Sequence, residues 1–224
     1  MDIWLIQIDL KFFVALINND MRMYKIMDKK VLKRALYFFV LAMIVTILAT
    51  VITYIVNPDI KGVMDSFENM SSDELRESTK IQKVQEYIVN NGFRVPLQMF
   101  ILALIPIQFL YLVNIISTAV LPGILFGLVF HLDFIKGIEI IVSASPHYVI
   151  EIFGFCLFAS VLFELNRGIR SKFRSVFKKD ENPSFLFNKL LRTIIIYLAL
   201  ILPMIIIAAF LETYIADFIL NLFS

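Results

Sequence analysis

The chain holds one cysteine, Cys156, two histidines, one tryptophan, seven glycines and seven prolines among 224 residues. A single cysteine excludes an internal disulfide and a thiolate metal cluster. So little glycine and proline excludes collagen-like and low-complexity chains. Charge is scarce as well, at 18% against about 25% in an ordinary soluble domain. The 21 basic and 19 acidic residues leave a net charge of +2, without the basic excess of a nucleic-acid binder. Enzyme signatures are missing too: no Gly-rich phosphate loop, no Gly-x-Ser-x-Gly elbow and no His-Glu-x-x-His zinc helix. Ser143, Ser145 and Cys156 near His147 make no coherent nucleophile and base pair. The reading is a chain that is not an enzyme and carries no cofactor.

Apolar residues are what is there: 59% of the chain, with 22 phenylalanines, against roughly 45 to 50% in soluble domains. A bilayer core takes about 20 apolar residues in helix, because no water there satisfies an unpaired backbone. The expected fold is an all-α polytopic bundle of about five transmembrane helices with an N-terminal interfacial helix. The spans are read at about 35–56, 95–116, 117–135, 147–164 and 193–213. Pro106 should kink the second, and Pro122, Gly123 and Gly127 make the third short or broken. Residues 1–34 form the N-terminal segment, 35–215 the membrane domain and 216–224 a tail.

Lys and Arg set orientation, since cytoplasmic flanks collect them. Residues 1–34 hold seven and residues 165–192 hold eight, while the other six fall in loops on the opposite side. The outer loop, 57–94, carries seven acids against five bases. The bias predicts an N-terminus inside, a C-terminus outside and a basic inner loop over 165–192. Asp2 and Asp9 stand where a signal peptide would be basic, so the start is expected to be retained. Residues 3–19 show two apolar flanks between Gln7, Lys11, Asn18 and the three acids Asp2, Asp9 and Asp20. This predicts a helix lying between lipid and another helix, a partner or the bundle itself.

In the outer loop, Ser71 and Glu74 have capping-box spacing and Ile81, Val84 and Ile88 follow at helical intervals, predicting a helix over about 72–89. Inside, Phe173 and Phe177 make an apolar stripe amid Arg170, Lys172, Arg174, Lys178 and Lys179. The stripe reads as a headgroup contact or as a docking helix for a cytoplasmic partner, with Phe173, Phe177, Arg170 and Arg174 as the docking residues.

Ionisable groups at membrane depth cost at least about 2.5 to 3.5 kcal/mol, so each calls for a partner. His147 and Glu151 are four apart and share one helix face. Glu212 and Asn90 or Asn91 fall on the same outer side, so a polar cluster near the outer leaflet is expected. Three uses stay open: mutual satisfaction that fixes helix register, a metal pair from His147 and Glu151, or a proton or ion relay.

Three blocks of these residues resemble the stage II sporulation protein M family of five-span bacterial membrane proteins. Asn90-Asn91-Gly92-Phe93-Arg94-Val95 is similar to the pattern that opens the family's second span. Pro146-His147-Tyr148-Val149-Ile150-Glu151 resembles its Pro-His-Gly-x-x-Glu signature, with Tyr148 in the place of the glycine. Ala208-Ala209-Phe210-Leu211-Glu212-Thr213 looks like the glutamate-ended close of its last span. The resemblance carries over Asn91, Arg94, His147, Glu151 and Glu212 as motif residues. It implies a noncatalytic multi-pass protein of the bacterial cytoplasmic membrane, a scaffold or accessory subunit in a membrane complex of the cell-wall remodelling type. The alternative it implies is a permease or accessory subunit of an ABC-type peptide exporter. Partners would be the lipid bilayer, a cell-wall hydrolase or an ABC-type ATPase, and copies of the chain itself.

Overall fold

The structure is a computed structural model, and it describes residues 28–56, 79–175 and 184–223. The segment 3–19, the Ser71 and Glu74 box and Phe177 lie outside the described residues. Everything described is helix and connecting turn: α1 (Lys29–Val56), α2 (Lys80–Tyr87), α3 (Val95–Leu104), α4 (Leu112–Leu132), α5 (Phe134–Ser175), α6 (Ser184–Ile196), α7 (Leu202–Phe210) and α8 (Ala216–Leu222). Wider π-helical turns over Ile88–Arg94, Tyr197–Ile201 and Leu211–Ile215 join α2 to α3, α6 to α7 and α7 to α8. Four helical stretches are long and apolar enough to cross a membrane: Lys29–Val56, Leu112–Leu132, Phe134–Arg174 and Leu186–Leu222. The chain is an all-α membrane bundle.

The π turns have a local cause at two places. Pro96 and Pro203 each sit in the first turn of the α-helix that follows, where a proline lacks its N–H and crowds the preceding turn. The backbone widens just before them, so that Val95 N–H bonds Asn90 O and Leu202 N–H bonds Tyr197 O, five residues back. Asn90, Asn91 and Gly92 therefore do not end a helix. The helical path runs unbroken from Lys80 to Leu104. At the start of α2, Thr79 is extended and caps the helix with Gln82 as the reciprocal partner.

The expected span over 95–116 is divided. Pro106 holds Ile105 extended, at φ −71° and ψ 132°, and the backbone turns over residues 105–111, with Phe109 at φ 67°. Residues 112–116 belong to α4 instead. That helix runs 21 residues straight through Pro122, so the third crossing is neither short nor broken. Its glycines set its seat: a Cβ at Gly123 would fall 2.6 Å from the Thr46 carbonyl oxygen on α1. The close approach is the membrane device of small residues at a helix interface.

α5 is the axis of the bundle. Ile152, Phe155, Cys156, Ala159 and Leu162 are fully buried, and α1, α3, α4, α6, α7 and α8 all lie against it. The middle of α5, covered by these neighbours, has no polar face to keep. The outer helices show lipid-sized apolar surface instead, as at Ile55, Leu97 and Ile207, each more than half exposed. The expected tail over 216–224 supplies α8, which continues the last crossing along the N-terminal part of α5.

Candidate functional site

α1 and α5 run antiparallel. Arg34 bonds the Ser160 carbonyl and Thr46 bonds Tyr148, twelve residues on along both helices, so Glu151 falls level with about Met43. That is close to the middle of the charge-free stretch from Ala35 to Val56, deeper than the outer-leaflet position its sequence neighbours imply. Glu151 is buried, with the Asn91 side chain and the Glu212 carboxyl as its polar neighbours. Glu212 in turn has the Tyr87 side chain beside it. Asn90 donates to Asn91 Oδ1 at 2.7 Å.

Four side chains thus join three helical paths. Tyr87 and Asn91 come from Lys80–Leu104, Glu151 from α5 and Glu212 from the last crossing. Asn91 and Glu212 both sit on π turns, a feature that recurs at functional positions. Neither carboxyl has an ion-pair partner among the described residues. Tyr87 escaped the sequence reading, although its spacing of four from Asn91 puts both on one helix face.

The other expected members stand apart. His147 has no hydrogen bond or ion pair with Glu151, and its Nδ1 is buried without a partner. Arg94 is exposed. Among the described residues no three His, Cys, Asp or Glu side chains are placed to hold a metal ion. His131 stands edge-on to Tyr54 at 6.0 Å, and Asp133 caps α5 by accepting from the Ile135 and Lys136 N–H groups at 3.0 and 3.1 Å. Tyr148, where the motif has glycine, reaches Thr46 at 2.5 Å. Its hydroxyl thereby finds a buried partner on α1.

A second polar layer closes the opposite end. Arg34 pairs with Glu164 at 2.7 Å and lies 3.9 Å over the Phe163 ring. Asn166 donates to the Ala103 and Ile105 carbonyls at 2.9 and 2.8 Å, which are left without helical donors where α3 stops. Arg170 donates to Gln108 at 2.8 Å. Phe173 lies one turn further along α5 and is 65% exposed.

The sequence matches the family described as Stage II sporulation protein M over residues 34–217. The chain belongs to the stage II sporulation protein M family. No curated protein and no solved structure matches it. For this stage II sporulation protein M family member, the three motif blocks meet at one place, since Asn91, Glu151 and Glu212 come from separate blocks and gather in the bundle interior.

Proposed function

We propose that this protein is a noncatalytic scaffold of the bacterial cytoplasmic membrane, with its N-terminus inside and its C-terminus outside, which holds a partner of the cell-wall remodelling type in a membrane complex. The observation that carries the reading is how the buried polar side chains are spent. Arg34 with Glu164, Asn166 with the end of α3, and Thr46 with Tyr148 each fasten one helix to another. Polar groups used this way fix a bundle and leave its ends for partners. A cavity of about 260 Å³ between residues 93–100 and 193–197 is walled by apolar groups such as Phe100 and Phe158, which suits hydrocarbon better than a polar cargo.

The test is co-purification of the tagged chain from its native host in mild detergent. A cell-wall hydrolase retained by the wild type and released by Ile81→Asp supports the outer docking surface. Ile81 is 64% exposed, whereas Val84 is buried and would report on folding instead. Recovery of no partner at all overturns the scaffold. One observation favours a second reading, an accessory subunit of an ABC-type exporter: the exposed Phe173 stands on a basic helix end, where an ATPase would seat. Phe173→Ala should then uncouple ATP hydrolysis from membrane reconstitution, and full coupling would remove it.

A further inference from the structure

The end of the bundle that carries Arg34 and Glu164 presents a rigid apolar tip inside a field of arginines. The tip is the turn over 105–111, where Ile107 and Phe109 are 55% and 41% exposed. Asn166 holds the carbonyls on its near side, Arg170 holds Gln108, and the Phe109 ring sits 6.3 Å from Phe38 and 5.8 Å from Phe163. A non-glycine residue at φ 67° persists only where its surroundings over-determine it. The turn is preorganised, so a partner would lose little entropy in ordering it.

Asn166, Arg170 and Phe173 with Arg174 follow one another at helical spacing along α5, so the stripe that grips the turn continues past it into Phe173 and Arg174. Arg167 and Arg174 are exposed and form no ion pair among the described residues. No Asp or Glu occurs in residues 105–111 or 165–175, and Glu164, the described carboxylate next along α5, is already taken by Arg34. The face is positive and has its own apolar anchors.

We propose that the turn over 105–111 and the overhanging end of α5 form one docking surface for an acidic, apolar-anchored segment of a water-soluble protein. The inference rests on the reading of this chain as a partner-holding membrane protein, and it names the chemistry of one partner. At the end of α5, depth separates a protein from a lipid surface as occupant. The charge-free stretch of α1 begins beside the Arg34 and Glu164 pair, which marks the hydrocarbon border. Phe173 is nine residues beyond Glu164, about 13 Å along a helix, whereas the headgroup layer is about 6 Å deep. An aromatic ring that far out cannot reach acyl chains, yet it is the most exposed phenylalanine of the surface. A hydrophobic anchor with a cationic rim matches an amphipathic acidic segment lying in a groove.

The test uses the full chain in native membranes, with a photoreactive phenylalanine analogue at Ile107, at Phe173 or, as an outer control, at Ile81. The expected result is that Ile107 and Phe173 both crosslink to the same segment of one soluble protein. That segment, read by mass spectrometry, should be net acidic with spaced apolar residues. Arg174→Glu in the same background should lower the yield by about tenfold, while Arg174→Lys retains it. Adducts to lipid at Phe173, or to a segment that is not acidic, overturn the inference. Protein crosslinks from Ile81 alone overturn it while leaving the scaffold intact. Absence of protein crosslinks from all three positions removes both.

Discussion

Gly127 sits so close to α1 that an added Cβ would lie 2.6 Å from the Thr50 carbonyl oxygen and 2.7 Å from Thr53 Cβ. The nearest obstacle is backbone, which cannot rotate away. Gly127→Ala should therefore destabilise the α1–α4 contact by about 1 to 3 kcal/mol, and Gly127→Val by more. By contrast, a Cβ at Gly154 meets only Ile205 and Met204 side chains at 3.8 and 3.9 Å, so Gly154→Ala should be nearly neutral. Thermal unfolding of both variants in detergent checks the contrast. Equal melting would mean that the helices separate freely.

Glu151→Gln should be tolerated better than Glu151→Leu, by about 1 to 3 kcal/mol, because glutamine keeps a polar group beside Asn91 and Glu212 while leucine leaves those buried groups facing hydrocarbon. His147→Ala should leave the difference unchanged, since His147 is not the partner of Glu151. Chemical unfolding of the three variants in one detergent provides the measurement. A Glu151→Leu protein as stable as Glu151→Gln would show that the polar group beside Asn91 and Glu212 contributes nothing.

Much of this arrangement is readable in the residues themselves. The apolar runs announce an all-α membrane bundle, although five crossings are expected where four described stretches are long enough to cross, and the three motif blocks bring Asn91, Glu151 and Glu212 into view. What they do not reveal is how a helix answers a proline. Pro96 and Pro203 widen the turn before them and let the helix continue, Pro122 is absorbed within α4, and Pro106 ends α3. The difference lies in partners: Asn166, sixty residues downstream, supplies a donor to the Ala103 carbonyl where α3 stops and a second one to the Ile105 carbonyl beside Ile107 N–H. Spacing along the chain also pairs His147 with Glu151, but the helices bring Asn91 and Glu212 to Glu151 from other directions. Tyr148 hides its role for the same reason, because Thr46 is 102 positions away.

The Arg34 and Glu164 pair should show coupling of about 0.5 to 3 kcal/mol in a double-mutant cycle of Arg34→Met and Glu164→Gln. Arg34→Lys should recover only part of the loss. A lysine ammonium can meet the Glu164 carboxylate, but it cannot lie flat over Phe163 while donating to both Glu164 and the Ser160 carbonyl, as the guanidinium does. Full recovery by Arg34→Lys would reduce the contact to a simple charge pair.

Asn166→Leu should loosen the turn over 105–111 before it loosens the bundle. The side chain's two shortest bonds end on the Ala103 and Ile105 carbonyls, and Asn166 itself is 1% exposed, so water has no ready route to replace the lost donor. Leaving the buried Ala103 carbonyl unmet costs about 1 to 3 kcal/mol, whereas the Ile105 carbonyl keeps its bond from Ile107 N–H. The cost should appear as local opening, because the helices on either side keep their own contacts with α5. Hydrogen exchange followed by mass spectrometry should then show faster exchange in 105–111 with little change in residues 152–162. Asn166→Gln, which keeps the amide on a longer stem, should fall between the two. If exchange rises equally in both regions, Asn166 holds the whole bundle and not the turn alone.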